Sequence, residues 1–167
     1  MNEFSNLIDS LFKIDQQLRK NVVWKVDTIL EFNKTTTRLL SEAVSIYGIP
    51  TTDNVSQQTA DNFVLLLSHC PDVEFIKKVI ESDEFKKSSY RRDNVAIALD
   101  NLLIKEGKKQ VFGSALKIVE NSDGTTSSIP MPIEDEENVD KRRKEFGLIS
   151  LDEHIKRSSE LLKKIKR

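Results

Sequence analysis

Phe4, Leu7, Ile8, Leu11, Phe12 and Leu18 recur at three- and four-residue intervals through the opening segment, the spacing that lines side chains along one face of an α-helix. A stripe of that kind needs apolar cover, so core packing is the plain reading of it. A second helix is expected from about Trp24 or Asp27 to Tyr47, with Ile29, Leu30, Leu39, Leu40, Ala43, Val44 and Tyr47 inward. Gly48 suits a left-handed cap on that helix, and Pro50 blocks its continuation. Ser56 can cap a third helix holding "ADNFVLLLSHC", and Pro71 reads as the first position of a fourth, "PDVEFIKKVIES". Val95, Ala96, Leu99, Leu102 and Leu103 set a fifth, from about Tyr90 to Glu106, closing at Gly107.

The period then changes. "KQVFGSALKIVENSDGTTSSIPMPI" is rich in β-branched residues and contains Asp123-Gly124, a pair favoured in hairpin turns. One β-hairpin is predicted, roughly 109–119 paired with 125–131. Pro130 and Pro132 cannot donate to a ladder, so the second strand lies at an edge or ends there. Two strands alone are marginal, so the hairpin is expected to pack on helices. "EDEENVDKRRKEFGL" returns to helical logic, with acids in its first turn, bases toward its last and Gly147 at the stop. Ser150 and Glu153 form a capping box for a final helix carrying Leu151, Ile155, Leu162 and Ile165.

These patterns predict a mainly α fold, with about seven helices in one compact domain and a single β-hairpin inserted before the last two. The expected organisation is a helical part over 1–106, the hairpin over 107–133, and C-terminal helices over 134–167 with a basic tail from about 156. Charged residues at 32% against hydrophobic ones at 38% fit a folded helical protein and not a disordered chain. The net charge of −1 sets up no overall field. From Lys141 to Arg167, however, ten basic residues stand against four acidic ones. Those bases are spread among Leu and Ile, and no aromatic residue follows Phe146 to stack on a base, which disfavours nucleic acid as a partner. Cys70 stands alone and cannot form an internal disulfide. The first residues lack the basic and apolar regions of a signal peptide, and the longest apolar run, "FVLLL", is too short to span a bilayer. The cytoplasm, with no membrane contact, is the expected address.

Candidate chemistry is sparse. The chain has no glycine-rich phosphate loop, no GxSxG, no HExxH and no paired cysteines. His69 and His154 each lack a second ligand at helical spacing, so neither a metal nor a cofactor is expected. His69 follows the most apolar run, at a helix end, where an imidazole can cap a carbonyl. Its alternative role is acid or base, with Asp100 as the carboxylate beside it, since Asp100 interrupts the apolar fifth helix.

"QVFGSAL" followed by "PIEDEENVDKRRKEFGLISLDEHI" resembles the C-terminal half of a bacterial family of uncharacterised proteins, domain of unknown function 6624. Its Val-Asp-x-Arg-Arg-x-x-x-Gly-Leu segment is matched in full by Val139, Asp140, Arg142, Arg143, Gly147 and Leu148. Its Gln-x-Tyr-Gly-Thr-Gln stretch is matched by Gln110 and Gly113, with Phe112, Ser114 and Ala115 at the other positions. "YGIPT" resembles its Gly-x-Pro turn, "LLLSHC" its apolar run ending in His, and "ALDNL" its Asp-Arg pair with Asn101 in place of Arg. The resemblance spans roughly 30–155 and implies that His69, Asp100, Gln110, Arg142 and Arg143 hold the family's recurrent polar positions.

Two functions are carried forward. The first is a binding or protein-interaction module in which Gln110, Arg142 and Arg143 take a small anionic ligand or an acidic stretch of a protein partner, because a guanidinium binds carboxylate or phosphate bidentately. The second is a small hydrolase-like enzyme acting on a nucleotide or phosphorylated metabolite, with His69 as acid or base, Asp100 orienting it, and Arg142 and Gln110 stabilising developing charge. Neighbouring helical residues point about 100° apart, so one arginine is expected inward and the other in water, with Arg142 favoured as the inward one.

Overall fold

The structure, a computed structural model, describes residues 2–20 and 26–165, and within them the side chains of 3–20 and 26–162. The expected start of the second helix at Trp24 and the side chains of Lys163, Lys164, Lys166 and Arg167 in the basic tail lie outside the described residues. Among the described residues the fold is mainly α, with eight α-helices and one antiparallel hairpin placed before the last two helices. No helix among the described residues is long and apolar enough to cross a membrane. The chain divides into two compact units, 1–98 and 99–167.

The first unit holds α1 (Asn2–Lys20), α2 (Val26–Tyr47), α3 (Gln57–His69), α4 (Val73–Glu81) and α5 (Asp83–Lys87). The stripe of α1 is covered as its spacing requires, with Phe4, Ile8 and Leu11 buried together with Leu40, Phe63, Leu67, Ile76 and Val79. Polar contacts set the register of α1 on α3: Asp9 accepts from Thr59 Oγ1 at 3.1 Å and from Asn62 Nδ2 at 2.9 Å. Ser56 caps α3 by accepting from the Thr59 amide. Pro71 is not the first residue of α4. Asp72 takes the cap, accepting from the Phe75 amide, because a carboxylate satisfies an orphan N–H that proline can only leave out. The helix beyond the expected seven, α5, is a five-residue turn capped by Ser82 in the stretch between the expected fourth and fifth helices, where the sequence pattern predicts no element.

The second unit begins within α6 (Arg92–Lys105) and continues through β1 (Leu116–Glu120), β2 (Thr126–Pro130), a 3-10 turn over Glu136–Asn138, α7 (Val139–Glu145) and α8 (Leu151–Ile165). The hairpin is shorter than expected. Leu116 pairs with Pro130 and Glu120 with Thr126, so the ladder ends at the proline as anticipated, but residues 109–115 form no strand with it. Their backbone groups are claimed by side chains instead, as described below. Packing on α8 completes the two strands: Ser128 Oγ lies 2.7 Å from Ser158 Oγ, and the Ser128 amide donates to Ser159 Oγ.

Candidate functional site

The loop from Gln110 to Ala115 is held from three directions, by Asp100, by Gln110 and by the paired arginines. Asp100, fully buried on α6, accepts from the amides of Val111 and Phe112 at Oδ1 (2.8 and 3.0 Å) and from Ser114 at Oδ2 (2.8 Å). One carboxylate thus satisfies three N–H groups that have no strand partner. Gln110, also fully buried, closes the loop on itself: its Oε1 accepts from the Ala115 amide, and its Nε2 donates to the carbonyls of Ala115 and Met131. Its own backbone pairs with Pro132 and Glu134 in a single parallel bridge beside Ile133.

The carbonyls of the same loop belong to the arginines. Arg143 is 1% exposed; its Nε donates to Ile149 O at 2.6 Å, and its Nη1 to Phe112 O at 2.6 Å and Gly113 O at 3.2 Å. Arg142 donates from Nε to Val111 O, from Nη2 to the carbonyls of Glu134 and Asp135, and from Nη1 to the Asp135 carboxylate at 2.9 Å. The preference for Arg142 as the inward residue is therefore corrected. Arg143 is the buried one, and Arg142 is half-buried instead of facing water. Both side chains are long enough to bend from their diverging Cβ directions onto neighbouring carbonyls of one loop. Arg142 also ties down Asp135, which sits in the left-handed region at φ +50.

Gly113 allows this packing. Its φ is +67, and a Cβ there would lie 2.9 Å from the side chains of both Ile133 and Leu151, which belong to the unit's apolar cluster with Val139. Asp140, next to the arginines, reaches the start of α8 and accepts from the Leu151 amide at 2.7 Å.

Two participants escaped the sequence reading as site residues. His154, half-buried on α8, places Nε2 3.1 Å from Ser114 O. A carbonyl only accepts, so Nε2 carries the proton. Burial holds the His154 pKa below its usual 6.5 and the nearby Arg143 charge adds to this, while the bond to Ser114 opposes them. The unfolded chain therefore takes up the second ring proton first as pH falls. Stability is full above about 6.5 and lost on descent from there toward the folded value. Urea unfolding from about pH 8 to about pH 5 should show a steeper loss for the wild type than for His154→Gln. Equal slopes would remove His154 as the source. Ser114 is the second: its hydroxyl is buried and, among the described residues, has no hydrogen-bond partner. Its signal was a hydroxyl residue at the position where the resembled motif carries Thr.

His69 belongs to the first unit and has a different carboxylate from the one expected. Asp15, 1% exposed on α1, lies 3.1 Å from His69 Nδ1, and its Oδ1 also accepts from Arg19 Nε at 2.9 Å. Both oxygens of Asp100 are taken by amides, so it is Asp15 that orients the ring. Burial raises the Asp15 pKa, but the bond to His69 and the charges of His69 and Arg19 outweigh it, and the carboxyl is held below its ordinary value. The sign that could have shown Asp15 was a carboxylate on the Phe4, Ile8, Leu11 stripe at the next helical position.

A family model described as a family of unknown function, DUF6624, matches residues 23–164. No curated protein and no solved structure matches the chain. The loop and all the side chains that hold it fall inside the matched span, whereas Asp15 and Arg19 lie upstream of it. With the match covering most of its length, the chain belongs to the DUF6624 family.

Proposed function

We propose that this chain is a binding module for a small anion or an acidic segment of a protein partner, with Arg143 as the source of positive charge behind the 110–115 loop. One observation carries the reading: Arg143 is 1% exposed, yet among the described residues its guanidinium makes no ion pair. Asp140 and Asp100 act on it only through space, and burial lowers its pKa. A buried cation that meets only neutral carbonyls favours an added anion more than a paired one does. Among the described residues its Nη2 makes no hydrogen bond, and the Ser114 hydroxyl without a partner there belongs to the residue next to Gly113, whose carbonyl Arg143 holds. In this reading Gln110, Asp100 and Arg142 position the loop and do not touch the ligand.

The test is a thermal-shift series with inorganic phosphate, citrate, nucleotides and a glutamate-rich peptide on wild type, Ser114→Ala and Arg143→Lys. Ser114→Ala removes no bond, so its own stability should stay within about 0.5 kcal/mol of wild type, while the ligand-induced rise shrinks. Absence of any shift in the wild type, or equal shifts in all three proteins, would overturn the proposal.

A second reading, a small hydrolase acting on a nucleotide or other phosphorylated metabolite, is favoured by the Asp15–His69 pair. A carboxylate on Nδ1 makes Nε2 the basic nitrogen, the arrangement general-base catalysis uses. Release of phosphate from nucleotides by wild type, abolished in His69→Gln, would support it. No release, or release untouched by His69→Gln, removes it.

A further inference from the structure

The first unit carries a groove of about 770 Å³ between α2 and α4 that neither reading above uses. Val44, Ile49, Phe75 and Val79 give it an apolar floor. Its walls carry Asp72, Glu74 and Glu84 against a single base, Lys78, and among the described residues none of these four is in an ion pair. Beside it Ile46 is 72% exposed on α2. The fitting occupant is a segment with apolar side chains and several positive charges, without acids.

The end of α8 is such a segment, and unlike 75–80 and 85–92, which are also basic and free of acids but have their apolar side chains buried, it leaves one exposed. "LLKKIKR", residues 161–167, combines Leu161, Leu162 and Ile165 with Lys163, Lys164, Lys166 and Arg167, and Leu161 is 60% exposed. We infer that the 161–167 segment of a second copy docks in the α2–α4 groove, its apolar residues on the floor and its bases toward Asp72, Glu74 and Glu84. Two copies that exchange segments reciprocally close as a two-fold dimer, so the association ends at two. Because the charges sit at the rim, salt weakens it.

The test is sedimentation of the full chain over a range of concentrations. Wild type should pass from monomer to dimer, with dissociation promoted by salt. Glu74→Lys with Glu84→Lys in one variant, and Lys163→Glu with Lys164→Glu in another, should each weaken dimerisation roughly tenfold or more. A mixture of the two should regain it, since each reversed groove then meets an oppositely reversed segment. A wild type that stays monomeric, a dimer indifferent to both reversals, or a mixture that stays monomeric would each overturn the inference. The anion proposal is unaffected by these outcomes, as its ligand shifts are read on Ser114 and Arg143.

Discussion

Arg143→Met should lower the unfolding free energy by about 3–5 kcal/mol, since each buried carbonyl stripped of its partner costs on the order of 1–3 kcal/mol. Methionine fills much of the same volume but offers no donor, and the carbonyls of Phe112, Gly113 and Ile149 all take bonds from Arg143. Urea unfolding measures it: the midpoint should fall with the slope unchanged, because the same surface is exposed on unfolding. Arg143→Lys should recover only part, since an ammonium cannot spread its donors across two loops as the planar fork does. A loss under about 1 kcal/mol for Arg143→Met would mean that water replaces the guanidinium at those carbonyls.

Asp100→Asn should cost about 2–4 kcal/mol although it changes one atom. The carboxylate faces amide donors on both oxygens, Val111 and Phe112 on one and Ser114 on the other. Whichever way the new side chain is turned, its NH₂ meets an N–H. Asp100 and Arg143 grip opposite polar groups of the same few residues, so the double variant should lose less than the two single losses added together, by about 0.5–3 kcal/mol. Strict additivity in the unfolding data would show that the two grips act on separate structures.

The hydrophobic periods and the cap residues carried most of the fold. The α1 stripe, the Ser56 cap and the end of the second strand at Pro130 stand where local rules put them. The start of the first strand was misplaced for an identifiable reason. "QVFGS" has β-type composition, but its amides and carbonyls are taken by Asp100, Arg142 and Arg143, up to 31 positions away from the groups they hold. No local propensity contains that competition.

Asp100, Gln110, Arg142 and Arg143 were legible through the resembled motifs, but their duties and the parts played by Ser114 and His154 were not. Adjacent arginines on a helix predict divergent directions, and only the path of the loop brings Val111 O to one and Phe112 O to the other. His69 and its carboxylate show the same limit: Asp15 lies 54 positions away, on the helix that packs against α3. By itself the sequence determined seven of the eight described helices, the hairpin turn, several caps and the end of the second strand, because capping, periodicity and turn chemistry act over a few residues. Tertiary structure alone decided which arginine is buried, which carboxylate meets the histidine and which hydroxyl goes unpartnered. Those outcomes depend on where distant backbone donors and acceptors are brought when each must be satisfied in the absence of water.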